Sequence, residues 1–153
     1  MKSKFTILLL FIGLMSYCQS NVEKRDPVNQ QDFETMLISN NSSIVLSKYK
    51  SKTINEIALI FKTETDACNN NHGINLTLFS GEKLNFENSK ITCSESETKK
   101  YKLSRSLILT PELYKKLSQT EIKEFNLGGV TVPVNYLQKD EDLKGLFKFS
   151  ESL

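Results

Sequence analysis

The sequence predicts an α+β fold, a mostly antiparallel sheet of six to eight short strands with one late helix and a second at the C-terminus. Three observations predict it. Apolar and polar residues alternate with period two in several segments between Ser43 and Val134. The links between those segments are short and carry turn residues, which argues against a parallel sheet and its long crossovers. Helix start signals stand before Pro111 and before Leu143. A β-sandwich with helical additions is the alternative.

Residues 31–39 place Phe33, Met36 and Leu37 at helical spacing and predict a short helix, ended by the loop Asn40-Asn41-Ser42-Ser43. Residues 43–50 alternate, with Ile44 and Leu46 on one face and Val45, Ser47 and Tyr49 on the other. In residues 53–62, Ile57, Leu59 and Phe61 share one side and Ala58 and Ile60 the other. That strand is expected to be central and covered on both faces. A polar loop, residues 64–73, leads to Ile74, Leu76 and Leu78. Ser80-Gly81 then turns the chain into Leu84 and Phe86, the clearest hairpin of the sequence. Residues 88–93 add a short strand that brings Cys93 towards Cys68.

Tyr101, Leu103, Leu107 and Leu109 mark the next strand, and Arg105 shares their phase. It must therefore sit at an edge, reach solvent or find a partner. Thr110 caps the first helix, Pro111 fills its first turn and Glu112 suits the positive end of its dipole. Residues 122–127 and 130–134 are strands joined at Gly128-Gly129, and Pro133 marks the second as an edge. The last segment carries an apolar stripe of Leu143, Leu146 and Phe147, with Asp140, Glu141 and Asp142 at its start.

The first residues have the three parts of a secretory signal peptide: Lys2 and Lys4, an apolar stretch from Phe5 to Met15, and a polar exit. The apolar stretch is shorter than the roughly 20 residues that cross a bilayer, so no transmembrane anchor is expected. Ser16 and Cys18 are small enough to precede a signal-peptidase cut after Cys18. The alternative is a cut before Cys18 and lipidation of its thiol, to which the bulky Tyr17 is the objection. The expected organisation is a signal peptide over residues 1–18, a flexible segment over 19–31 and one globular domain over 32–153. Without Lys2 and Lys4 the chain's 20 basic residues fall to 18, against 18 acidic ones. A neutral mature chain of about 135 residues gives no nucleic-acid footprint and no polybasic membrane patch.

Removing Cys18 leaves Cys68 and Cys93, an even pair that in an exported protein reads as a disulfide. A metal site of Cys68, His72 and Cys93 is the weaker alternative, because a second paired ligand motif is missing. His72 is the only histidine, so histidine-dependent catalysis would have to pass through it. Glu64, Asp66 and His72 form the richest cluster of hard ligands, and the bland reading of that loop is a polar connection. No catalytic residue, metal or cofactor is assigned from the sequence.

The short lysine-start leader ending in Cys-Gln-Ser, followed by a Lys/Asn-rich domain, is similar to small exported proteins of Gram-negative envelopes. The resemblance implies a place only: periplasmic or extracellular, or held to the envelope through Cys18. The expectation is a monomeric, non-enzymatic domain that binds a protein or small ligand in or outside the envelope. A small hydrolase or metal-binding protein using residues 64–72, and an inhibitor or immunity-type protein, are the alternatives.

Overall fold

A computed structural model describes residues 28–68, 73–88, 90–138 and 142–152. The leader with Cys18, and also His72, Asp140 and Glu141, lie outside the described residues. The strands are β1 (Asn29–Met36), β2 (Ser43–Lys50), β3 (Asn55–Thr65), β4 (Ile74–Leu78), β5 (Lys83–Phe86), β6 (Thr92–Glu95), β7 (Tyr101–Ile108), β8 (Ile122–Leu127) and β9 (Val130–Pro133). Two helices are described, α1 (Pro111–Gln119) and α2 (Leu143–Glu151). The strands pair antiparallel in two sheets, β1-β2-β3-β7-β6 and β5-β4-β8-β9. The α+β class stands, with nine described strands in place of six to eight.

The extra strand is β1, where a short helix was expected. Phe33, Met36 and Leu37 fit a helical face, but Phe33, Thr35 and Leu37 also alternate. Phe33 is half-buried, and Thr35 and Leu37 are buried. A helix this short has little stability of its own, whereas a strand gains a register of eight residue pairs with β2. Asn40 and Asn41 take left-handed φ angles of 55° and 44°, and the Ser42 N–H donates to the Ser39 carbonyl at 3.1 Å. Asparagine tolerates that region better than most residues, so the pair turns β1 back along β2.

One core fills the space between the sheets. Ile44 and Leu46 of β2, Leu59 and Phe61 of β3 and Leu103 of β7 face Ile74 and Leu76 of β4 and Phe125 and Leu127 of β8, all buried. The Phe61 and Phe125 rings meet at 5.1 Å across this space. The Ser80-Gly81 and Gly128-Gly129 hairpins form as expected, with positive φ at Gly81, Gly128 and Gly129. Gly73 opens β4, and a Cβ there would collide with the carbonyl oxygen of Phe86. Gly73→Ala is therefore expected to cost about 1–3 kcal/mol, read as a lower urea midpoint with an unchanged slope.

Both helices are held at their starts. The Leu113 N–H donates to Thr110 Oγ1 at 3.2 Å, so Thr110→Ala is expected to lose about 1 kcal/mol in urea unfolding. Three free N–H groups of α2 find three different acceptors. Leu143 donates to Tyr136 Oη, Lys144 to Glu121 Oε1 and Gly145 to Asp142 Oδ1. The Tyr136 hydroxyl in turn donates to Glu121 Oε2 at 3.3 Å. Burial raises the Glu121 carboxyl above its ordinary range, and burial beside Glu121 raises the Tyr136 hydroxyl. This network fixes α2 against the start of β8. Tyr114 of α1 then stacks edge-on against Phe147 at 4.9 Å.

Candidate functional site

The five-stranded sheet has two unlike faces. Its inner face builds the core. On its outer face the registers place residues in rows that cross the strands. One row runs Met36, Ser43, Lys62, Ser104, Thr92. The row before it runs Glu64, Lys102, Ser94, and the row after it runs Glu34, Val45, Ile60, Ser106. Here the expectation that β3 is covered on both faces needs correction. β3 is central, but its outer Ile60 and Lys62 are only half-buried and its outer Glu56 is exposed. Ala58 and Val45 are buried.

The polar end of this face is concave. A cleft of about 460 Å³ lies over Ser43, Lys62, Thr92, Ser94, Lys102 and Ser104, with Glu34, Met36, Asn41 and Glu64 around it. That volume falls in the range of small-ligand sites. Both of its carboxylates already accept hydrogen bonds, and Glu34 does so from a lysine. Lys62 Nζ donates to Glu34 Oε1 at 2.8 Å, and Ser43 Oγ donates to the same oxygen at 2.6 Å. The Lys62 hydrogen bond, then that of Ser43, holds the Glu34 carboxyl below its ordinary value. Glu64 accepts from Asn41 Nδ2 at 2.9 Å and from Ser96 Oγ at 3.2 Å. The Asn41 bond chiefly lowers its pKa as well.

A pH dependence follows from Glu34. A carboxyl depressed in the folded state adds stability above its unfolded value, about 4.5, and loses it as pH falls through the folded value. Glu34→Gln is expected to flatten this acid limb, which lies below about pH 4.5, in urea titrations. Its cost at pH 7 should be about 0–1 kcal/mol, because the Lys62–Glu34 pair is over two-fifths exposed.

The residues singled out from sequence separate. Glu64 lies on the cleft, Asp66 is exposed beyond the end of β3, and His72 lies outside the described residues. Among the described residues no group of three or more His, Cys, Asp or Glu side chains gathers as a metal site. Cys68 and Cys93 are joined in a disulfide with Cα atoms 6.1 Å apart, which fits an oxidising, non-cytoplasmic compartment. Among the described residues no helix is long and apolar enough to cross a membrane. Arg105, in phase with the core residues, donates from Nη1 to the Lys90 carbonyl at 2.9 Å. Sequence reading missed Glu34 and Lys62 because they stand 28 residues apart and meet only through β2. No protein-family model, curated protein or solved structure matches this chain.

Proposed function

We propose that this protein is an exported, non-enzymatic binding domain whose cleft on the outer sheet face takes a small polar ligand carrying charges of both signs. The observation that carries the reading is the cleft itself, in which two carboxylates and two ammonium groups stand among serine and threonine hydroxyls. Glu34 and Glu64 are held ionised by hydrogen-bond donors. Such carboxylates suit charge recognition rather than proton transfer, which works best with groups titrating near the working pH. Export rests on the leader and agrees with the disulfide.

Thermal-shift titration with a panel of amino acids and dipeptides tests the reading. A ligand present at 100 times its Kd should stabilise the fold by about 2.7 kcal/mol. Ser104→Phe, which fills the cleft floor from a half-buried sheet position, should abolish that stabilisation. Wild-type protein unmoved by every member of the panel would overturn the proposal.

A further inference from the structure

Among the described residues, the side of β1 away from β2 is paired only at its C-terminal end. The Leu37 N–H donates towards β2, to the Ser42 carbonyl at 2.8 Å. On the other side of the strand, the Ile38 N–H donates to the Asn135 carbonyl and the Met36 carbonyl accepts from the Leu137 N–H, both at 3.0 Å. Strand backbone groups alternate direction. The N–H and C=O groups of Gln30, Asp32 and Glu34 therefore point away from β2, and none bonds to another strand among the described residues.

This edge is guarded less than the others. Natural edge strands are kept short, or carry lysine, proline or a bulge. β5, β6 and β9 are four residues long, and β9 ends in Pro133. β1 is eight residues long, has no lysine, proline or bulge, and pairs with β2 in unbroken register, so the carboxylates of Asp32 and Glu34 are its charged guards. Large apolar side chains also gather there. Seven are exposed among the described residues, and three of them, Ile38, Leu137 and Phe149, stand beside the edge of β1. Phe149 lies edge-on to the half-buried Phe33 at 5.3 Å, forming an apolar shelf on the inner side of the edge. The opposite side carries the carboxylates of Asp32 and Glu34.

We infer that β1 docks an extended segment of a partner protein, one that alternates basic residues over Asp32 and Glu34 with apolar residues over Phe33 and Phe149. The segment would continue the ladder that the Leu37–Tyr136 bridge already begins. Recognition by strand addition takes affinity from the backbone and selectivity from alternate side chains. A second copy of this chain fits less well, because its own β1 would bring Asn29 and Gln31 to the shelf and further carboxylates to the acidic side. Glu34 and Met36 belong both to this edge and to the rim of the cleft, so the two proposals are told apart by Ser104, which lines the cleft from β7, three strands away from β1.

The test uses isotope-labelled protein and a nine-residue peptide alternating Lys and Val. A second peptide of the same composition has its lysines grouped at one end. The alternating peptide should slow amide exchange at Gln30, Asp32 and Glu34 by about tenfold or more, and the grouped one should not. Gln30→Pro removes an outward N–H and leaves the β1–β2 bonds intact. It should weaken the alternating peptide about tenfold with little change in Tm, since the Gln30 side chain is exposed. Ser104→Phe should leave peptide binding unchanged. Equal binding of both peptides, or binding without protection of those amides, overturns the inference. So does protection that rises with protein concentration in the absence of peptide, which would assign the edge to a second copy.

Discussion

Replacing Cys68 and Cys93 by serine is expected to lower stability by about 3.5 kcal/mol and Tm by about 10–15 °C. The two residues are 25 positions apart in sequence, and the figure is the chain-entropy cost of leaving that loop open when unfolded. The loop is not idle chain. It holds the β4–β5 hairpin, which belongs to the four-stranded sheet, while Cys93 on β6 and the strand before Cys68 belong to the five-stranded one. The bond therefore ties together both ends of an excursion from one sheet to the other. Urea unfolding of oxidised, reduced and double-serine protein measures the effect. A loss below about 1 kcal/mol would show that the reduced, unfolded chain already holds this loop closed.

Phe61→Ala is expected to cost about 3–5 kcal/mol, the usual range for emptying a fully packed aromatic site. Phe61 is wholly buried at the centre of β3, the middle strand of its sheet, and its ring rests on Phe125 of the facing sheet. Neighbours cannot close the resulting cavity without moving a strand that is hydrogen-bonded on both sides. Phe125→Ala should cost about as much. The double variant should fall short of the sum, with about 0.5–1.5 kcal/mol assignable to the ring pair. Strict additivity would mean that the two rings act only through the area they bury.

The elements legible in the sequence were those whose local signals agree with the tertiary structure. Thr110-Pro111 marked α1, Gly128-Gly129 marked the β8–β9 hairpin, and Pro133 marked an edge. Residues 31–39 misled because Phe33 and Leu37 satisfy two periods at once, Met36 completing the helical set and Thr35 the alternating one, and only the partner strand β2 decides between them. The division into two sheets was not legible for a related reason. The chain passes from β3 to β4 without a change of composition, so nothing local says that β3 pairs with β7 instead. The cleft was hidden by the same logic, since its rows exist only once the registers of β1, β2, β3, β7 and β6 are set. Glu64 was singled out as part of a loop cluster, yet its neighbours in space are Asn41 and Ser96.

That β3 pairs with β7, across the whole β4–β6 segment, also governs how the chain reaches its fold. The β1–β2–β3 meander can form from neighbouring sequence, but its sheet gains a fourth strand only when residues past 100 arrive. β4 likewise waits for β8, and Leu37 for Tyr136. Lys48 reaches the Ser150 carbonyl from 102 positions away. Such long-range closure slows folding, because loop entropy is lost before the contacts that repay it exist. Folding is therefore expected to be slow, with the meander as its nucleus and the C-terminal helix docking last. Until that helix docks, Phe33 of β1 lacks the Phe149 ring and Lys48 of β2 lacks the Ser150 carbonyl, and a chain emerging N-terminus first carries this corner of its sheet uncovered until residues 149–150 arrive.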